Sequence, residues 1–312
     1  MKMAITAFAK KSLHMLGHYS RRLSKSKFGG VAVLCYHGVV SSRISDSQVP
    51  FRVLHVTDEE LESHCRFLRE ECNPISLHSW KAFLSGGPPL PPRPVLVTFD
   101  DGYRSVFTLA RPILQKYSIP TLIFVCSDPV EKRQLLWYDA AARSIGESRV
   151  DAVGRLPYAK WQEACGKFDM WVSEDDPTSL LSVDEIKTLA AIAGIEIGGH
   201  TTTHVRLTTA SREEQHRQVI RNKQRLEEWT GTTIRAFAYP NGLPVADYDS
   251  DSIAAVKAAG YEFAFTTVQK FAGGNQRFFE VPRFLMLAGI SVPELAHRLC
   301  YSWPRVHVPA VS

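Results

Sequence analysis

The feature that most constrains this chain is a rhythm. From residue 31 onward, short continuous apolar runs alternate with capped helical patterns. Strand candidates fall at 31–36, 74–77, 95–99, 121–126, 195–198, 234–239, 261–266 and 281–285. Several are apolar throughout, as expected of parallel strands covered on both faces. Between them, Thr57 with Glu60, Ser182 with Glu185 and Ser211 with Glu214 have capping-box spacing. Gly231 can end the helix that starts at Ser211 in a left-handed conformation. The alternation predicts a parallel α/β architecture, either a barrel or an open sheet. The Gly/Pro-rich stretch 85–94 reads as a rigid loop, and 147–180, which lacks a clear period, as an insertion at the rim.

At 312 residues the chain could hold two average domains, but α/β barrels reach this length as one. Residues 31–312 are therefore read as a single domain. With 45% apolar and 22% charged residues it can build a full core. No run approaches the roughly 18 apolar residues of a membrane span. Residues 1–30 carry seven basic side chains and no acid, so the net charge of +5 leaves residues 31–312 slightly acidic. A nucleic-acid partner therefore has little support. The segment 1–30 reads as a basic arm or amphipathic helix, with Ile5, Phe8, Leu16, Tyr19 and Leu23 toward one side. Residues 1–28 could touch an anionic membrane surface, or stay solvated. Lys10 and Lys11 break the apolar stretch and no cleavage site follows, so no secretory signal is read. The expected location is cytoplasmic, or peripheral on the inner face of the membrane. Six cysteines without paired short spacing fit a reducing compartment.

Chemistry-bearing residues cluster where the strand candidates end. His37 follows the first, Asp100 and Asp101 follow 95–99, His200 follows 195–198, and Tyr239-Pro240 closes 234–239. Arg283 falls within the last. In parallel α/β folds that edge is where active sites form. Adjacent carboxylates resist ionising together unless something binds or uses them. His200 and His204, four apart, would point the same way on a helical turn. With one Asp they make a three-ligand set for a divalent metal, leaving the other Asp as a base. Zinc is the first expectation, with cobalt, nickel, iron(II) and manganese compatible. No D-x-D-x-D spacing supports a calcium loop, and the contiguous Asp pair does not fit haloacid-dehalogenase spacing. Arg283 could orient Asp100, bind substrate or pair with an acid across the barrel. Tyr239, Pro240, Trp137 and Asp139 are the expected substrate contacts; Trp137, Tyr138 and Asp139 could form a sugar-stacking wall, and core packing suits Trp137 equally.

Thr98-Phe99-Asp100-Asp101-Gly102, His200-Thr201-x-x-His204 and Phe237-Ala238-Tyr239-Pro240-x-Gly242 together resemble the polysaccharide deacetylase family, also called carbohydrate esterase family 4 or the NodB-homology domain. Tyr36-His37, Leu136-Trp137-Tyr138-Asp139 and Val281-Pro282-Arg283 add to the resemblance, which spans about residues 31–290. It implies a distorted (β/α) barrel of about seven parallel strands. It also implies a metal held by Asp101, His200 and His204, with Asp100 as the base acting on a metal-bound water. The Tyr239 backbone N–H would then help to stabilise the oxyanion. The substrate it implies is an N-acetylated amino sugar in a polysaccharide or glycoconjugate. Alternatives are deformylation or deacetylation of a lipid-linked sugar at the membrane, and a barrel that binds glycan without turnover. Many members use a late Leu-x-His histidine as general acid. Leu295-Ala296-His297 matches those letters but lies in a helical pattern, which favours a surface role. His37 is the better-placed acid, with a structural role as its alternative.

Overall fold

The computed structural model describes residues 6–25, 28–45, 49–273 and 278–301. The apolar runs become strands β1 (Ala32–Tyr36), β2 (Pro94–Phe99), β3 (Thr121–Val125), β4 (Ile195–Gly199), β5 (Ala236–Ala238), β6 (Phe263–Phe265) and β7 (Phe284–Leu285). They pair in parallel in the order β7-β1-β2-β3-β4-β5-β6. The segment at β7 meets both edges of this sheet. Phe284 and Leu285 pair with β1, while Val281 bridges Phe265 in parallel. The sheet is thereby curled into the distorted barrel that the resemblance implied.

Alternation along each strand divides the apolar side chains. Val33, Leu96, Leu122, Phe124, Ala238 and Phe265 belong to one buried cluster. Leu34, Val97, Ile123 and Phe237 belong to a larger one shared with the helices. The smaller cluster also holds Leu77 and Trp80 from the helix Leu77–Leu84. The 74–77 strand expectation is corrected here. Only Asn73–Pro74 pairs with the start of β2, because Ser76 accepts a hydrogen bond from the Ser79 N–H and starts that helix instead.

Both Thr57 and Ser182 form complete capping boxes, Ser211 caps its helix through the Glu214 N–H, and Gly231 ends it with φ 65°. Between β3 and β4 the chain forms the helices Trp137–Ile145, Val150–Gly154, Tyr158–Cys165 and Val183–Ala190. The rim segment 147–180 thus contains short helices where no period was legible. Near the N-terminus, helices Ala7–Met15 and His18–Lys25 dock against the helix Val292–Cys300. Tyr19 and Leu23 are fully buried there, and Lys10 pairs with Glu294 at 2.5 Å. Residues 7–25 are therefore a packed part of the molecule, while 1–5 and 26–27 of the basic segment lie outside the described residues. No helix among the described residues is long and apolar enough to cross a membrane. The six cysteines form no disulfide.

Candidate active site

The two adjacent carboxylates owe their different roles to strand parity and one backbone torsion. Asp100 continues the Leu96–Thr98 face of β2, and its N–H still bonds the Tyr36 carbonyl at 2.9 Å. Asp101 then adopts φ 75°, which turns its side chain toward the histidines. Arg283 grips Asp100 with two hydrogen bonds, Nη1 to Oδ1 at 2.6 Å and Nη2 to Oδ2 at 2.7 Å. Its Nε donates to the Thr266 carbonyl, Nη1 also reaches Thr98 Oγ1, and its guanidinium lies over the Phe124 ring. Arg283 is completely buried, so its charge depends on Asp100 for compensation. Burial alone would push the Asp100 carboxyl up. Arg283, with His200 and His37, outweighs that and holds it below the ordinary carboxylate range.

Asp101 Oδ1 faces His200 Nε2 at 3.3 Å and His204 Nε2 at 3.2 Å. These spacings match a tetrahedral site, in which ligands ~2.0–2.1 Å from zinc stand about 3.3 Å apart. His200 Nδ1 lies 2.7 Å from the Ala238 carbonyl, which places the proton on Nδ1 and leaves a lone pair on Nε2. That lone pair and a carboxylate oxygen would repel each other unless a cation or proton lay between them. Asp101 Oδ1 is buried and receives no hydrogen bond. The three donor atoms therefore fit a divalent metal on their own geometry. Burial pushes the Asp101 carboxyl up, yet the facing imidazoles hold it well below its usual range.

The histidine pair sits differently from the helical turn expected of its spacing. Residues 200–204 form a tight turn, with Thr201 at φ 63° and His204 at φ 58°, and Thr201 Oγ1 accepts the His204 N–H at 2.9 Å. The rings still meet, with centroids 4.9 Å apart. Asn222, on the helix Arg212–Thr230, accepts the His200 N–H at 3.0 Å and donates to the Val125 carbonyl. Gly199 permits this approach. A Cβ there would lie 2.5 Å from Asn222 Oδ1 and 2.2 Å from Tyr261 Oη.

His37 follows β1, and one of its ring nitrogens lies within 4.8 Å of an Asp100 carboxylate oxygen. Cys35 Sγ completes that cluster. Burial raises its thiol well above the ordinary range and it donates weakly to Asp100, so it reads as a neutral neighbour. His297 is placed elsewhere. It lies in the helix Val292–Cys300 against Tyr19 and Tyr301, with Tyr19 Oη 3.1 Å from its Nδ1.

Three expectations are corrected. The Tyr239 N–H bonds the Phe265 carbonyl at 3.1 Å, so the sheet ladder has taken the donor expected at the oxyanion. Its ring is buried against Tyr248, and Pro240 is buried beside it, which removes both as direct substrate contacts. Asp139 is fully buried and unable to touch a sugar. It ends a chain of contacts: Tyr103 donating to Asp139 Oδ2 at 2.9 Å, the Tyr103 and Tyr138 hydroxyls 2.8 Å apart, and Tyr138 donating to Asp101 Oδ2 at 2.8 Å. Burial, with Asp101 nearby, pushes Asp139 well above the carboxylate range. Trp137 is buried and donates through Nε1 to the His204 carbonyl at 3.0 Å, bracing the 200–204 turn.

Sequence reasoning passed over Tyr103, Asn222 and His55. Nothing local marks Asn222, a polar residue within a long polar helix. His55 is fully buried, and a Cβ on Gly38 would overlap its ring, 1.9 Å from Nδ1.

The chain is similar to known proteins in both sequence and fold. It is 25% identical over 275 residues to an Escherichia coli (strain K12) poly-beta-1,6-N-acetyl-D-glucosamine N-deacetylase, covering 86% of this chain and 38% of that protein. It therefore spans about two-fifths of that relative's length. Its fold is similar to that of the Streptococcus pyogenes deacetylase PplD, with TM-score 0.64, 18% identity and 86% and 97% of the two chains covered. IcaB from Ammonifex degensii gives TM-score 0.62 at 24% identity, with 88% and 98% covered. Residues 87–264, more than half of the sequence, match the polysaccharide deacetylase family, and the chain belongs to it.

Proposed function

We propose that this chain is a metal-dependent hydrolase that removes N-acetyl groups from an amino-sugar polysaccharide. The observation that carries the reading is the Asp101–His200–His204 set, whose donor atoms face one point beside an Asp100 held ionised by Arg283. Family membership and the poly-β-1,6-N-acetylglucosamine activity named for the Escherichia coli relative support the substrate class.

Asp101, His200 and His204 would hold the metal, with zinc the first choice and cobalt, nickel, iron(II) and manganese compatible with the donors. When bound, it would polarise the acyl carbonyl and lower the pKa of a nearby water. Asp100 takes the proton of the attacking water as its oxygen bonds to the acyl carbon. Arg283 keeps Asp100 ionised and fixes the direction of its oxygens. His37, near the Asp100 carboxylate, protonates the amine nitrogen as the C–N bond breaks, giving acetate and a free amino sugar. Asp100, Asp101, His200 and His204 are buried, and His37 is half-buried at the edge of the site.

The test is amine release from β-1,6-linked N-acetylglucosamine oligomers by chelated protein, with and without added zinc or cobalt. Release restored by metal is expected. Asp100→Asn should keep the metal yet lose about 10²–10⁴-fold in rate, and His204→Ala should lose both. Absence of release by metal-loaded wild-type protein would refute the assignment.

A further inference from the structure

A groove of about 660 Å³ opens beside the metal loop, within the volume range of sites that enclose a ligand. Thr203, between the two histidine ligands, and Trp137, bonded to the His204 carbonyl, form its inner wall. Trp161 packs edge-on against Trp137 and continues that wall. Lys132 and Arg133 line the groove, and at its outer part stands Trp171, with 73% of its surface exposed.

Trp171 differs from an incidental surface aromatic because its backbone is held. Trp171 forms an antiparallel bridge with Gln134, and the neighbouring Leu135 N–H bonds the Met170 carbonyl at 3.0 Å. The Trp171 N–H donates to Asp169 Oδ1, also at 3.0 Å. The fold thus fixes the main chain while leaving a large indole in water, at an unfavourable exposure of apolar area. An indole in a groove also lined by Lys132, Arg133, Gln134, Asp128 and Asp169 suits a pyranose, which presents C–H bonds on one face and hydroxyls around its edge.

We infer that this groove is an additional sugar subsite, in which Trp171 stacks on a neighbouring pyranose of the same glycan chain. The inference rests on the deacetylase reading and deepens it: the preferred substrate is an oligomer or polymer long enough to reach from the metal loop to Trp171.

Kinetics of the metal-loaded full chain on N-acetylglucosamine oligomers of two to about six sugars test this. In the wild type, KM should fall as the oligomer lengthens. Trp171→Ala should raise KM for the long oligomers about tenfold with little change in kcat, and Trp171→Phe should restore most of the loss. The same length dependence in Trp171→Ala as in wild type would overturn the subsite. If wild-type protein releases no amine from any oligomer, the deacetylase reading fails, and calorimetric titration with the same oligomers still decides the subsite. Binding that weakens in Trp171→Ala would support it; unchanged binding, or none to wild type, would overturn it.

Discussion

At the residue scale, the centre depends on one completely buried ion pair. Arg283 and Asp100 compensate each other inside the barrel, and neither has bulk water as an alternative partner. Arg283→Met would leave the Asp100 charge alone in a low-dielectric site, a loss of about 3–5 kcal/mol in stability. With the largest opposition to burial gone and only His200 and His37 left to lower it, the Asp100 carboxyl should rise, so the acid limb of the pH–rate profile should move to higher pH. Chemical denaturation and a pH–rate series measure the two effects separately. His55 has a different consequence. Both its ring nitrogens are buried without partners, and burial, with His37 nearby, lowers its pKa to about 3. The unfolded chain takes up this proton below about pH 6.5 and the folded chain does not, so stability is full above 6.5 and declines as pH falls toward 3. Between pH 7 and 5 that single group should remove about 2 kcal/mol. His55→Leu should flatten this part of the stability curve; equal slopes in denaturant titrations of the two proteins would contradict the assignment.

At the element scale, the 200–204 turn is held from behind by a helix. The helix Arg212–Thr230 presents Asn222 to both the His200 N–H and the Val125 carbonyl, tying the ends of β3 and β4 together. Asn222→Ala would leave a buried donor and acceptor unpaired. Loss of such a support should weaken metal affinity by about 10–100-fold, read by competition with a chromogenic chelator. The elements most legible from sequence were those with local signals. Capping residues started the helices at Asp58–Glu71 and Val183–Ala190 where expected. The 200–204 turn escaped because its spacing is equally compatible with a helix, and the left-handed torsions at Thr201 and His204 are stabilised by contacts with Asn222 and Gln218 from a distant helix.

At the scale of the whole molecule, the curled sheet brings together residues nearly two hundred positions apart, such as Asp100 and Arg283. The register aligns the strand ends: Tyr36 stands beside Phe99, Val125 beside Gly199, and Gly199 beside Phe237. The N-terminal helices belong to this packing as well. Removing residues 1–25 would uncover the helix Val292–Cys300 and forfeit the burial of Tyr19 and Leu23, at about 1.5–3 kcal/mol each. A lower midpoint in thermal unfolding is the expected result; an unchanged midpoint would mean that the docked helices contribute little.

Strand composition and helix caps determined the parallel α/β class, since continuous apolar runs and capping residues act over a few positions. The Asp100-Asp101 and His200–His204 spacings also marked residues that the fold brings together, because a strand's carboxyl end is identifiable from its own composition. Only the tertiary structure decided which partner each group meets. It joined Arg283 to Asp100, gave the Tyr239 N–H to the sheet ladder, and buried Asp139 behind two tyrosines. It also placed His297 against the N-terminal helices. These outcomes depend on barrel closure and on competition for buried hydrogen-bond partners, and both join residues that lie far apart in the chain.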